Sequence, residues 1–314
     1  MHVRNQMIAA FVILVWGVTF ASTRALLLDF SSLEILVFRF AIAWFVLVGI
    51  GLFEGAERRR FSFRDELLFA GMGLTGVTAY QFLENSAIYY TNASNVAIMV
   101  SFGPIVTAVM ARVFTNDRTL SARLVVGSLI AVCGVATVSV NGVEAFQLRP
   151  LGDIMALAAM VCWGLYSVMI GKVNEKGYSP MAVIRKSFFW ALVLMIPFAL
   201  WGMTEEGFYA LDGSFSVTLD AEVNAERFGR ALNWVNLGFL GLLASAACFV
   251  LWNHACKSLG VVRTTIGLYL TPVVGVLFAV IFLGEKLTAT SIVGGLVIIT
   301  GVVLANTELF RRLK

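Results

Sequence analysis

Ten runs of mostly apolar residues, each about 20 long, recur from one end of this chain to the other. They cover roughly 6–27, 33–54, 66–89, 94–114, 121–141, 151–172, 181–203, 234–256, 262–283 and 289–309. A run of that length matches the hydrocarbon core of a bilayer when coiled as an α-helix, and Gly and Pro inside it are tolerated there. Composition supports this reading. Of 314 residues 59% are hydrophobic and only 13% are charged, too few to cover a water-soluble surface of this size. The expectation is therefore an all-α integral membrane protein with ten transmembrane helices. The first run follows Arg4 but is as long as a full span, with no clean A-x-A-like site after it, so it reads as a span rather than a signal peptide.

Loop charge orients the helices. The segments "EGAERRRFSFRD", "RVFTNDRTLSAR", "GKVNEKGYSP", "KSLGVVR" and "RRLK" carry most of the Lys and Arg, which marks their side as cytoplasmic and puts both termini there. The basic excess, net +4, is thus explained without a nucleic-acid partner. On the other side lies the long stretch 204–233, read as a solvated external loop with a short helix around 221–232.

The chain also repeats itself. Shifted by 147, Trp16-Gly17 falls on Trp163-Gly164, Ser32 on Ser179 and Arg39 on Lys186. Shifted by 168, Gly73-Leu74 falls on Gly241-Leu242, Asn85 on Asn253 and Pro104 on Pro272. The growth in offset is the extra length of 204–233. Two five-helix halves result, 1–145 and 146–314. Because five is odd, they cross the membrane in opposite senses, the inverted-repeat layout of many transporters, whose site lies between the repeats near midplane.

With these repeats, the Trp-Gly pair in the first helix of each half, the Pro104 and Pro272 helices and the turns "NDRTL" and "GEKLT", the chain resembles the drug/metabolite transporter superfamily, in particular its EamA-type family with two repeats. The resemblance implies a membrane transporter that moves small metabolites, amino acids among them, without ATP. It also implies that helices 1, 3, 6, 8 and 9 surround a central cavity.

Site candidates come from residues that do not belong in lipid. Ionisable groups inside spans are costly and are functional candidates by default. Arg24, Arg39 and Glu84 fall at similar height in the outer leaflet. Arg24, at a helix end, reads as snorkelling to the headgroups. For Arg39 a substrate anchor and a structural cation stay equally open. Glu84, a carboxylate in a low-dielectric cavity, is a candidate proton carrier, which makes protons the candidate coupling ion. Asn253 and the neighbouring His254 are candidates too, each with a packing role as the alternative. Trp16 and Phe20 on helix 1, Tyr80 on helix 3, Trp163 and Tyr166 on helix 6, Trp252 on helix 8 and Tyr269 on helix 9 are candidate walls. Pro104 and Pro272 are candidate hinges, with a static kink as the alternative.

Other classes fit less well. The chain contains no H-E-x-x-H and no P-loop, and its two histidines and four scattered cysteines suggest neither a catalytic dyad nor a metal or disulfide framework. No cofactor and no metal are expected. The partners expected are the lipid bilayer of a bacterial plasma membrane and a small-molecule substrate, with the chain as monomer or homodimer. The reading is a secondary exporter of amino-acid-like or amphiphilic solutes. An uptake permease of the same fold is the alternative, and a channel or intramembrane enzyme a more distant one.

Overall fold

The computed structural model describes residues 2–53, 61–91, 93–115, 119–139, 149–209, 213, 215–282 and 288–306. Among them ten helical rods form one bundle. They are α1 (His2–Leu26), α2 (Ser32–Phe53), α3 (63–90), α4 (93–114), α5 (Ala122–Ser139), α6 (Pro150–Glu175), α7 (Pro180–Gly202), α8 (231–259), α9 (261–282) and α10 (Ala289–Ala305). Eight are long and apolar enough to cross a membrane, and α10 is a shorter apolar helix. The remaining rod, α3, carries Arg64, Asp65 and Glu66 in its first turn and Glu84 further in.

Helix starts follow local chemistry. Ser62 and Asp65 form a reciprocal capping box at α3. Ser31 and Glu34 do the same at α2, Oγ accepting from the Glu34 amide and Oε2 from the Ser31 amide. Ser179 caps α7, with Pro180 in the first turn.

Several rods are interrupted. In α3 the segment Leu74–Thr78 is π-helical, and so is Phe239–Ala247 in α8. A shift of 168 lays the first inside the second. Pro104 and Pro272 do not lie inside unbroken helices. Pro104 is the second residue of Gly103–Phe114, after a break at 101–102, and Pro272 is the second residue of Thr271–Phe282, after the 3-10 turn Gly267–Leu270. The turns "NDRTL" and "GEKLT" lie largely outside the described residues.

Packing interlaces the halves. α1 lies against α8 and α9, while its counterpart α6 lies against α4 and α3. α2 meets α7 and α8, α7 meets α3, and α5 pairs with α10. Lipid tails are as apolar as a protein core, so close van der Waals contact rather than burial holds such helices together. Glycine makes it possible. A Cβ on Gly73 would stand 2.6 Å from the Ser187 carbonyl of α7, and one on Gly241 would stand 2.7 Å from Ile42 of α2. Along α5–α10 the same tightness occurs at Gly127, Gly134, Gly294 and Gly301. Outward, large side chains such as Phe45, Leu52, Ile281 and Leu296 are exposed, as a lipid-facing surface requires.

The stretch between α7 and α8 departs from the solvated loop expected of it. It contains the helices Glu205–Tyr209 and Ala221–Gly229, and its Phe215 and Arg227 are buried.

Candidate substrate site

An aromatic cluster occupies the middle of the bundle, where the two halves meet. Trp16 of α1 and Trp163 of α6, the tryptophans related by the repeat, stand edge to face at 6.1 Å. Trp16 also packs on Trp252 at 5.1 Å and Phe249 at 5.5 Å, both of α8. Its indole N–H donates to the Ala244 carbonyl at 3.0 Å, inside the π-helical stretch, and this orients the ring. Trp163 in turn packs on Tyr80 at 5.2 Å and Tyr166 at 5.3 Å. Gly76 has no side chain for a reason: a Cβ there would lie 2.3 Å from the Tyr166 ring.

Polar groups line one side of this cluster. Tyr80 Oη donates to Glu84 Oε1 at 3.0 Å, one helical turn away on α3. Arg39 of α2 is buried, its Nε donates to Ser245 Oγ of α8 at 3.0 Å, and its guanidinium lies 5.1 Å from the Phe40 ring. Arg39 and Glu84 interact electrostatically but form no direct ion pair. Opposite charges therefore share one region without neutralising each other by contact. Arg24, by contrast, is exposed at the end of α1, where a cation also suits the helix dipole.

Several buried polar atoms have no hydrogen-bond partner among the described residues: Trp163 Nε1, Tyr166 Oη, Thr107 Oγ1 and both amide atoms of Asn253. Leaving such a group unpaired costs about 1–3 kcal/mol, and Trp163 Nε1 and Tyr166 Oη, neighbours in the aromatic cluster, mark a place there where water or solute belongs.

Other candidates lie elsewhere. Tyr269 is buried in a separate cluster with Ile266 and Ile298, between α5, α9 and α10. His254 is half-buried, and its side chain makes no hydrogen bond or ion pair among the described residues. The side chains of Phe20 and Asn85 lie outside the described residues. Lys186, the counterpart of Arg39, does not enter the aromatic cluster. It pairs with Glu66 Oε1 at 2.5 Å, while Trp190 Nε1 donates to Oε2 at 2.9 Å. Residues that the sequence reading missed are Ser245, Phe249 and Gly76. Phe249 had a legible signal, since it precedes Trp252 by three residues and shares its face. Ser245 and Gly76 had none.

An all-helical bundle of two inverted five-helix repeats, with a polar and aromatic cluster where they meet, is the construction of a membrane transporter. The chain belongs to the EamA-like transporter family, whose model matches it twice, over residues 6–140 and 150–307. A protein of Streptantibioticus cattleyicolor described as a probable terminal-alkyne amino-acid exporter is 28% identical over 81% of this chain and 77% of its own length. A probable amino-acid metabolite efflux pump of Escherichia coli is 23% identical over 95% of this chain and 93% of its own. One solved crystal structure superposes with a TM-score of 0.78 at 19% identity, covering 99% of both chains, which supports the fold. The chain is thus an integral membrane protein that sits in a lipid bilayer and transports small molecules.

Proposed function

We propose that this chain is a secondary exporter of amino-acid-like or amphiphilic metabolites that works by alternating access between the halves 1–145 and 146–314, with no chemical step on the solute. The observation that carries the reading is the joint presence of Arg39 and Glu84 beside the rings of Trp16, Tyr80, Trp163, Tyr166 and Trp252. A zwitterion could oppose its carboxylate to the guanidinium and its ammonium to Glu84, with its apolar part against the rings. The unpaired amide of Asn253 adds a neutral donor and acceptor. The relatives described as a probable terminal-alkyne amino-acid exporter and a probable amino-acid metabolite efflux pump support the same solute class.

In this reading the basic loops are cytoplasmic, both termini lie inside, and the bilayer is the bacterial plasma membrane, with the chain as monomer or homodimer. The α1–α2 turn and the stretch 204–233 then face outward. Glu84 carries the coupling proton, and the breaks at Pro104 and Pro272 let α4 and α9 bend as the crevice changes side.

Flux of radiolabelled amino acids in proteoliposomes tests this. Wild-type flux should saturate and respond to a pH gradient. Glu84→Gln should abolish the response to the gradient while counterflow persists, and Arg39→Ala should raise KM about tenfold or more, the loss of one charge-assisted hydrogen bond. Unchanged gradient-driven flux in Glu84→Gln removes the proton role, and ohmic current would indicate a channel. Saturable flux that runs only inward favours the uptake permease.

A further inference from the structure

The two ends of the bundle are held by clusters at corresponding positions of the two repeats. At one end Asp29, in the α1–α2 turn, accepts from Asn233 Nδ2 at 2.7 Å and from Arg230 Nη1 at 2.6 Å. Arg230 is the cap of α8 and Asn233 lies in its first turn. At the other end Asp65, in the first turn of α3, accepts from Tyr178 Oη at 2.8 Å and from Lys176 Nζ, both in the α6–α7 turn. A shift of 147 places Asp29 on Lys176, and a shift of 168 places Asp65 on Asn233. The same contact is therefore made twice, with acceptor and donor exchanged. Each copy ties the third residue of one repeat's third helix to the turn between the first two helices of the other repeat.

Past each anchor comes a π-helical stretch, Leu74–Thr78 in α3 and Phe239–Ala247 in α8. A π turn departs from the regular helical ladder and is a common site of bending and of function. Of the site residues of these helices, Gly76 and Ser245 lie within it, and Tyr80 and Glu84 on α3 and Phe249, Trp252 and Asn253 on α8 lie beyond it. Gly73 and Gly241, at corresponding positions, press the backbone onto α7 and α2 before or within the π stretch. Each helix is thus held at its start, deformable in its middle and polar or aromatic in its second half.

We propose that Asp29–Asn233–Arg230 and Asp65–Lys176–Tyr178 are matched pivots, positioning residues that stay closed while the parts of α3 and α8 beyond the π stretches carry the crevice from one side to the other. The inference rests on the alternating-access reading given above. Its physical ground is that inverted repeats exchange conformations when the crevice changes side, so a gate closed at one end has its counterpart open at the other. These two contacts are closed together.

The test uses the full chain with its four free cysteines at 133, 162, 248 and 256 replaced by alanine. One variant carries Asp29→Cys with Asn233→Cys, another Asp65→Cys with Lys176→Cys, each bridged by a short bifunctional thiol reagent. In vesicles, bridged protein should keep at least half the exchange of radiolabelled amino acids shown by the unbridged sample. Exchange lost on bridging and regained on cleaving the bridge would make these contacts gates and overturn the proposal. If neither sample exchanges any amino acid, the transport reading has failed for these solutes, and hydrogen exchange on the unmodified protein decides the pivots instead. Amides of 65–69 and 233–237 should then exchange about tenfold more slowly than those of 74–78 and 239–247, and equal or inverted rates overturn the proposal.

Discussion

Glu34 and Arg227 lie 193 residues apart in the chain and form a bidentate pair, both bonds 2.8 Å long and both side chains buried. Thr218 and Ser31 amides complete the carboxylate, and the guanidinium lies 4.7 Å from the Phe30 ring. Removing one member leaves the other charged and buried, so Arg227→Ala or Glu34→Ala should each cost about 3–5 kcal/mol, read as a lower Tm of the purified protein. The double change Glu34→Leu with Arg227→Met should be milder than either single one, because no charge is stranded. Asp65 behaves differently. Burial opposes its charge, but Lys176, Ser62 and Tyr178 outweigh burial and hold its carboxyl below the usual carboxylate range. A lowered folded-state pKa adds stability that is present above about pH 4 and lost as pH falls below it. The wild type should therefore lose more thermal stability than Asp65→Asn between neutral pH and about pH 2, the acid side of an ordinary Asp, and equal slopes would refute the role of Asp65.

Elements are decided by how near two backbones can come. On α10, Gly301 faces α5 so closely that a Cβ would stand 2.4 Å from the Ala131 amide, whereas a Cβ on Gly295 would meet nothing within 4 Å. Gly301→Ala should thus destabilise the bundle by about 1–3 kcal/mol through overpacking. Gly295→Ala should stabilise it by up to about 1 kcal/mol, because alanine favours a helix. Thermal denaturation of the two variants, one helix and six residues apart, separates packing from propensity. Both glycines look alike in sequence, as small residues in an apolar run. Tyr80 and Glu84, by contrast, were legible as neighbours, since a spacing of four on a helix brings side chains together. The π-helical stretches carry no comparable sign, because "LTGVT" and "FLGLLASAA" obey the same apolar pattern as regular helix around them.

For the whole molecule, the proposed orientation predicts which side each end of the bundle faces. Glu222→Cys, in the exposed part of Ala221–Gly229, should react with an impermeant maleimide in intact cells. Arg64→Cys, exposed at the start of α3, should react only after permeabilisation. The reverse pattern would invert the topology. What the sequence determined alone was the class of structure: recurrent apolar runs admit only helices in a bilayer, and two offsets with an odd helix count imply inverted halves. It also marked Trp16 and Trp163 as partners in the repeat, though their contact at 6.1 Å depends on both helices reaching the middle of the bundle. Only the tertiary structure joined Arg39 to Ser245, buried Arg227 of an apparently solvated loop against Glu34, and sent Tyr269 to a different cluster. The reason is range. Periodicity records which way a side chain leaves its own helix, whereas charge pairing and close packing depend on a second surface brought near by a distant part of the chain.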